Sequence, residues 1–212
     1  MRDLVALLIS RSDFFIQLFW EHIYIAGSAA LLAALLGISL GILISEQRRL
    51  APWIIQTSNL LYTIPAISMF GLLIPVTGIG NNSAIITLTI YGLLPMIGNT
   101  YNGMKNIDLS IIDAARGMGS SRMQILWKIR FPLALPTIMT ALRTMLVMTI
   151  ALGGIASFIG AGGLGTAIYR GITTNNSTMT LAGSLLIMML AFIADGLCRG
   201  AERCVPWIRQ HD

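Results

Sequence analysis

Long uncharged stretches dominate the pattern of hydrophobic and polar positions along the chain. The first runs from Ile23 to Ser45, 23 residues without a charge, between Glu21 and Glu46. As an α-helix it would measure about 34 Å at about 1.5 Å per residue, enough to cross the roughly 30 Å hydrocarbon core of a bilayer. This stretch predicts a transmembrane helix.

The second stretch is longer, from Ala51 to Met104, with 54 uncharged residues. That is too long for one membrane crossing and suits two. Glycine, asparagine and serine at 78–83 supply the turn between them. A fourth span is predicted from Pro136 to about Phe158, and a fifth from Met179 to Ala194.

The composition supports an all-α integral membrane protein. Of 212 residues, 55% are hydrophobic and 11% charged, and the mean hydropathy is +0.77. Soluble domains carry about a quarter charged residues. The net charge of +5 does not indicate nucleic-acid binding, because the basic residues fall between the uncharged stretches. Two histidines and two cysteines, without close ligand spacing, predict no metal site.

The distribution of Lys and Arg predicts the orientation. Cytoplasmic loops of membrane proteins are enriched in these residues. With five spans and the N-terminus outside, ten of them lie inside and three outside, leaving Arg143 within a span. The inner ones are Arg48, Arg49, Lys105, Arg116, Arg122, Lys128, Arg130, Arg199, Arg203 and Arg209. The outer ones are Arg2, Arg11 and Arg170. The loop 105–130 and the C-terminus are therefore expected in the cytoplasm.

The same loop carries a spaced motif. It reads Asp113-Ala114-Ala115, three residues, Gly119, nine residues, then Ile129, one residue and Pro132. This pattern resembles the Glu-Ala-Ala motif of permeases in binding-protein-dependent ABC importers, with Asp113 in place of the usual Glu and Phe131 in place of Leu.

The resemblance implies that the loop couples the membrane domain to a partner ATPase. The predicted coupling residues are Asp113, Ala114, Ala115, Gly119, Ile129 and Pro132. Alanines allow a helix to approach a partner closely, and Gly119 permits a sharp helix exit. Asp113, expected near the front of that helix, would favour its dipole or meet a basic group on the partner. The alternative is an ordinary amphipathic loop beside anionic lipid.

The chain lacks the glycine-rich phosphate loop of an ATPase. The resemblance therefore implies that ATP and Mg²⁺ bind to the partner and that this chain binds no cofactor and has no catalytic residue. It also implies a type I ABC importer permease fold, a second permease subunit (self or paralogue), an extracytoplasmic solute-binding protein, and a place in the bacterial inner membrane, surrounded by lipid.

A glycine-rich segment extends the resemblance. Gly160 to Gly165 fits the dinucleotide pattern Gly-x-Gly-x-x-Gly, but no strand precedes it, so close packing or a hinge is the better interpretation. Residues 156–165 resemble the corresponding segment of osmoprotectant permeases, and the similarity runs from about 21 to 203. The segments 63–66, 73–75, 91–95 and 99–101 also match. The expected cargo is glycine betaine, choline or carnitine. Methionine permeases carry a similar glycine segment, so an amino acid is the alternative.

This resemblance divides the chain into three regions. Residues 1–20 are expected to form an interfacial segment. Residues 21–203 are expected to form the transmembrane permease domain, with the coupling loop at 105–135. Residues 204–212 are expected to form a cytoplasmic tail.

A second group of residues are candidates for the gate or the translocation path: Tyr62, Pro65, Pro95, Arg143, Gly160 and Gly163. Prolines break helices and can shape a gate, although simple kinks are commoner. A tyrosine ring offers a cation–π surface or simply packs. Arg143 is expected to brace the subunit interface or to snorkel to the membrane surface, because a fixed cation would repel a quaternary ammonium cargo.

Two other classes of protein fit less well. A proton-coupled secondary transporter usually places carboxylates within the membrane, whereas Glu46 and Asp195 fall at the predicted span ends. An intramembrane metalloprotease needs His ligands, and His22 and His211 lie outside the predicted spans without an HExxH motif.

Overall fold

A computed structural model describes residues 2–204, and within that range the chain forms helices joined by short turns. The predicted tail therefore lies almost wholly outside the described residues. The α-helices are α1 Arg2–Ser10, α2 Ser12–Glu46, α3 Ala51–Thr63, α4 Ala66–Thr77, α5 Asn81–Lys105, α6 Leu109–Gly117, α7 Arg122–Ile125, α8 Phe131–Gly153, α9 Gly165–Thr173 and α10 Ser177–Cys204. A π-helical turn, Leu126–Arg130, joins α7 to α8, and a 3₁₀ turn, Ala156–Ile159, follows α8.

Four of these helical stretches are long and apolar enough to cross a membrane, and a bent pair makes five if it is counted as one span. The pair is α3 and α4, which meet at an angle of 102°. Ile64 is extended, with ψ 126°, and Pro65 begins the new direction. A proline lacks an N–H and disfavours helical backbone in the residue before it, so the helix breaks there.

The turn between the second and third spans lies where it was predicted. Gly78 and Gly80 both have positive φ, 79° and 108°. This backbone conformation is costly for residues with a Cβ and easy for glycine. Helix α5 then begins at Asn81.

The first span begins earlier than predicted. Helix α2 starts at Ser12, not Ile23, and runs without interruption through the proposed boundary at residue 20. Glu21 and His22 do not end the helix, because each finds a hydrogen-bond partner within the protein: the backbone N–H of Gly163 and the carbonyl of Ile150. Only α1 precedes this span, and its leucines pack against a core cluster that includes Phe15 and Met179.

The last two spans also differ from the prediction. Helix α8 begins at Phe131 and ends at Gly153, instead of running from 136 to 158. Helix α10 continues through Asp195 to Cys204, because that carboxylate is paired with Arg143 and Arg199. The short helix α9 was not predicted.

Small residues let α2 lie close against α5. A Cβ on Gly41 would sit 2.5 Å from the Cβ of Thr100, and one on Gly92 would sit 2.6 Å from the Cβ of Ala33. Contacts this short do not occur, so only glycine fits at these positions. Since lipid is as apolar as leucine, close van der Waals packing of small residues is the main force between membrane helices.

The bundle has two distinct ends. At the charged end, α2 and α5 terminate beside the segment that leads into α8. This end contains Glu46, Lys105, Arg122 and Arg130. The glycine end contains Glu21, His22, Gly80 and the segment 160–165.

Candidate functional site: the charged end of the bundle

The segment between α5 and α8 forms two short helices with defined caps. Asp108 caps α6 by accepting a hydrogen bond from the backbone N–H of Ser110 at 2.9 Å. That bond favours the ionised form and holds the pKa of Asp108 below its ordinary value. Ser121 caps α7 in a reciprocal capping box with Gln124. The local sequence therefore specifies both helices.

A small apolar cluster holds α6 against α7. Ile112, Ala115 and Ile125 are buried there, and Ile107 and Ile129 pack beside them. The opposite face of the segment is open, with Met118 80% and Met123 64% exposed. The segment is thus a self-packed element that presents an apolar and charged outer face.

Glu46, the last residue of α2, fastens this element to the spans. Its carboxylate accepts a hydrogen bond from Arg122 Nε at 2.8 Å and pairs with Arg130. Arg130 also donates to the carbonyl of Met104 in α5 at 3.1 Å. Glu46 and Arg130 are mostly shielded from solvent, so their attraction is weakly screened. These contacts link the segment to α2, to α5 and to the start of α8.

Sequence reasoning missed this role of Glu46, which was interpreted only as the end of a span. A signal was present. The acidic residue Glu46 follows the first uncharged stretch, and Arg122 and Arg130, eight residues apart, precede the fourth predicted span. In an α-helix with about 3.6 residues per turn, that spacing is about 2.2 turns, so the two arginines lie about 80° apart on the same side of the helix.

The predicted coupling residues occupy different surfaces of this element. Ala114 is exposed, whereas Ala115 and Ile129 belong to the inner cluster. Gly119 has φ 82°, which is the sharp exit expected of it. Pro132 is the second residue of α8, which directly follows the π-helical turn. The set therefore combines an outer surface with the residues that support it.

The expectation for Asp113 was wrong in one respect. It lies in the middle of α6, not at its front, and Asp108 occupies the capping position. The Asp113 carboxylate pairs with Arg116 at 3.2 Å, and both side chains are 68% exposed. Such an exposed pair contributes little to stability, so the carboxylate stays available to a partner.

Tyr62 and Tyr91 lie against each other at the bend between α3 and α4. The rings of Tyr62 and Tyr91 lie 5.6 Å apart. Tyr91 donates a hydrogen bond to the carbonyl of Ile64, directly before Pro65, and Tyr62 contacts Met148 Sδ at 3.2 Å. The bend therefore frees a backbone carbonyl that Tyr91 satisfies.

Pro95 lies one turn along α5 from Tyr91 and is partly buried. Its carbonyl accepts a hydrogen bond from the Asn99 side chain at 2.8 Å. Helix α5 continues past Pro95 to Lys105. Pro95 is accommodated within the helix, in contrast to Pro65, where the helix ends.

Arg143 braces two helices of its own chain. It is paired with Asp195 of α10 and lies 3.9 Å from Glu202. Asp195 also pairs with Arg199 at 2.8 Å. Helix α10, which carries these carboxylates, extends farther than predicted. The Arg143 guanidinium is therefore satisfied within the chain, and neither the expected snorkelling nor a contact with a second subunit is needed.

Gly160 and Gly163 lie at the glycine end and have positive φ, 74° and 89°. The N–H of Gly163 donates to Glu21 Oε2 at 3.0 Å, and the N–H of Gly162 donates to Asn81 Oδ1 at 2.9 Å. A Cβ on Gly163 would lie 3.0 Å from His22. The glycines serve close packing, as the sequence interpretation favoured over nucleotide binding, and Glu21, His22 and Asn81 are the partners it missed.

An all-helical bundle with several membrane spans and a helical segment fixed across one end is the architecture of a transporter's membrane subunit. The chain belongs to the family of binding-protein-dependent transport system inner membrane components, whose pattern it matches over residues 15–203. It is therefore a multi-pass permease component of such a system, not the subunit that hydrolyses ATP.

Curated relatives and a solved structure agree with that assignment. The chain is 36% identical over 204 residues to the carnitine transport permease OpuCD of Listeria monocytogenes, covering 96% of this chain and 92% of the relative. It is 40% identical over 196 residues to the glycine betaine/carnitine/choline transport permease OpuCD of Bacillus subtilis, covering 92% and 86%.

The solved structure is that of the MetNI methionine ABC transporter in an inward-facing conformation. It superimposes with a TM-score of 0.82 at 24% identity, covering 92% of this chain and 98% of that one. This likeness concerns the fold and confirms the predicted type I permease architecture.

Proposed function

We propose that this chain is the permease subunit of an ATP-driven importer for a quaternary ammonium osmoprotectant such as glycine betaine, choline or carnitine. The cargo is supported by the relatives named for these solutes at 36 and 40% identity over most of the chain. In this proposal it works in the bacterial cytoplasmic membrane, paired with itself or a paralogue. ATP and Mg²⁺ bind to separate ATPase subunits, and a binding protein delivers the solute from outside.

The observation that carries the mechanism is the open face of α6 and α7, fastened through Glu46 to three spans. In this mechanism the ATPase holds that face from the cytoplasm, with the N-terminus of the chain outside. Closure of the ATPases on ATP moves the segment, and α2, α5 and α8 follow because the Glu46 contacts connect them. The path then opens outward, and hydrolysis restores the inward-open state.

A cargo that carries a quaternary ammonium group is compatible with the interior of the bundle. Arg143, the charge that would repel that group, is paired with Asp195. Tyr62 is 45% exposed at the bend, whereas the Tyr91 ring beside it is buried. Aromatic faces attract quaternary ammonium groups, so Tyr62 is our candidate for a transient contact along the path.

The cargo is tested by reconstituting the permease with its ATPase and binding protein in proteoliposomes. We expect glycine betaine, choline or carnitine to stimulate ATP hydrolysis and to accumulate inside, and methionine to do neither. Stimulation by methionine alone would transfer the proposal to an amino acid importer. Failure of any ATPase to co-purify would contradict the mechanism as a whole.

Docking is tested by Ala114→Glu, which puts a bulky charge on the outer face of α6 without disturbing the inner cluster. We expect ATPase co-purification and uptake to fall at least about tenfold, the effect of losing about 1.4 kcal/mol of binding. Ala201→Glu makes the same change at an exposed position of α10, and we expect it to keep both activities. Equal uptake in the two variants would contradict docking through α6.

A further inference from the structure

A polar cavity of about 540 Å³ lies at the charged end, between α6 and α7 on one side and the last residues of α2 and α5 on the other. Five basic side chains line it, together with a single carboxylate. They are Arg48, Lys105, Arg116, Arg122 and Arg130, and the carboxylate is Glu46. The coupling mechanism uses only the contacts of Glu46 with Arg122 and Arg130, so most of this charge has no assigned role.

The positive charge in the cavity is poorly compensated. Glu46 is shared between Arg122 and Arg130, so it neutralises one charge of the two. Arg116 pairs only with the exposed Asp113. Arg48 and Lys105 have no carboxylate partner in the part of the chain that the structure describes. Arg130 Nε is buried without a hydrogen-bond partner in the described chain. Grouped cations favour an anion that has several oxygens.

The location of the cavity indicates where such an anion would come from. Ser45 and Glu46 end α2, and Met104 and Lys105 end α5. Span ends lie at the depth of lipid headgroups, and basic pockets between span ends bind anionic headgroups. Guanidinium groups match the oxygens of a phosphate in a forked arrangement.

We propose that this cavity is a phosphate-binding site, filled by the phosphate of an anionic lipid headgroup or by a free phosphate anion. Arg48 and Lys105 attract the phosphate, and Arg122 divides its bonds between the phosphate and Glu46. Occupancy then loosens the Arg122 contact to Glu46 and so alters how firmly α7 is held to α2. This consequence for coupling rests on the proposed function, whereas phosphate binding does not.

Binding is measured on the purified full-length permease in detergent by native mass spectrometry, with phosphatidylglycerol or phosphatidylcholine added. Arg48→Gln/Lys105→Gln removes two exposed cavity charges. Arg49→Gln/Lys128→Gln removes two exposed charges from the same end but outside the cavity. A cation that contacts the headgroup contributes about fivefold to affinity, whereas one outside the cavity adds little in detergent, where the charged membrane surface is absent. We expect the cavity variant to lose about 30-fold in phosphatidylglycerol affinity and the control to stay near wild type.

Thermal unfolding with inorganic phosphate, compared with chloride at equal ionic strength, separates the two sources. Stabilisation by phosphatidylglycerol alone indicates a headgroup, and stabilisation by inorganic phosphate indicates a free anion. Either result supports the site when the cavity variant abolishes the stabilisation and the control does not. Equal losses in both double variants, or stabilisation by neither phosphatidylglycerol nor inorganic phosphate, would overturn the proposal. Because no transport is measured, failure here leaves the proposed function standing.

Discussion

At the glycine end, backbone lies directly against backbone, whereas at the charged end long side chains span the gaps between helices. A Cβ on Gly165 would lie 2.8 Å from the carbonyl carbon of Gly154. At the charged end, Glu46 reaches Arg122 and Arg130, and a cavity remains beside them. The first arrangement has no room for displacement, and the second can shift by exchanging ion pairs.

The difference fits the coupling task proposed for the charged end. Contacts between backbone atoms change only when whole helices move. The glycine end therefore holds together the parts of α2, α5 and α8 that lie at this end. Ion pairs reform at small cost when partly hydrated groups slide. A segment that is moved by a partner needs this second kind of contact.

Gly165→Ala is expected to have the largest effect, because the added Cβ meets the backbone of Gly154, which cannot rotate away. Overpacking costs about 1–3 kcal/mol and more where backbone is hit, so we expect the upper part of that range and poor recovery of folded protein. Thermal unfolding in detergent with size-exclusion chromatography measures it. Gly27→Ala in α2 is the control, since nothing lies within 4 Å of its added Cβ. Similar stability of the two variants would refute tight packing as the principle of this end.

Glu46→Gln should come next. It removes the charge shared by Arg122 and Arg130 and leaves Arg130 largely buried. Losing one partner of a fully buried ion pair costs about 3–5 kcal/mol, and the partial exposure here lowers our expectation to about 2 kcal/mol. Denaturation in a detergent series reports the loss. Asp113→Asn makes the same chemical change in an exposed pair, and we expect it to change stability by less than about 0.5 kcal/mol. If both variants unfolded alike, Glu46 would not be the fastening point.

Glu21→Ala tests a charged contact of the glycine end. It removes the acceptor for the Gly163 N–H, and a hydrogen bond to a charged group contributes about 1.5–3 kcal/mol. We expect a loss of about 1.5 kcal/mol, because the site is partly exposed. Gln17→Ala removes only the exposed bond from Gln17 to Glu21 and should be nearly neutral. Faster hydrogen exchange at Gly163 in Glu21→Ala alone is the expected signature.

The smallest effect concerns the cap of α6. The pKa of Asp108 is lowered by its bond from Ser110, so the stabilisation is complete above the ordinary carboxyl pKa of about 3.9 and disappears as the pH falls through the lowered value. Hydrogen exchange in 109–117, corrected for its intrinsic pH dependence, should therefore rise as the pH falls below the ordinary carboxyl pKa and through the lowered one. Asp108→Asn keeps a good capping group without the titration. A rise of equal size in that variant would assign the effect to other groups.

The sequence itself determined much of the fold. Uncharged stretches predicted the spans because a lipid environment excludes unpaired charges, and the turn at 78–83 followed from its glycines. Predicted boundaries failed at two of the charged residues taken as helix ends, whereas Glu46 and Lys105 do end their helices. Glu21 and Asp195 both continue their helices, because Gly163 and Arg143 satisfy them. Those partners are more than 50 residues away along the chain, so no local pattern reports them.

The candidate site likewise combines features that the local sequence specifies with features that only tertiary packing decides. The motif from Asp113 to Pro132 and the glycine at 119 are local features, and the spacing of these residues was enough to locate the segment. Which of its faces is open was not predictable. Ala114 and Ala115 are neighbours with identical side chains, yet only Ala115 packs against Ile112 and Ile125. Burial depends on how α6 meets α7, and ion pairing of Glu46 depends on how three spans meet. Both are decided by tertiary packing, because that is what brings distant side chains within contact distance.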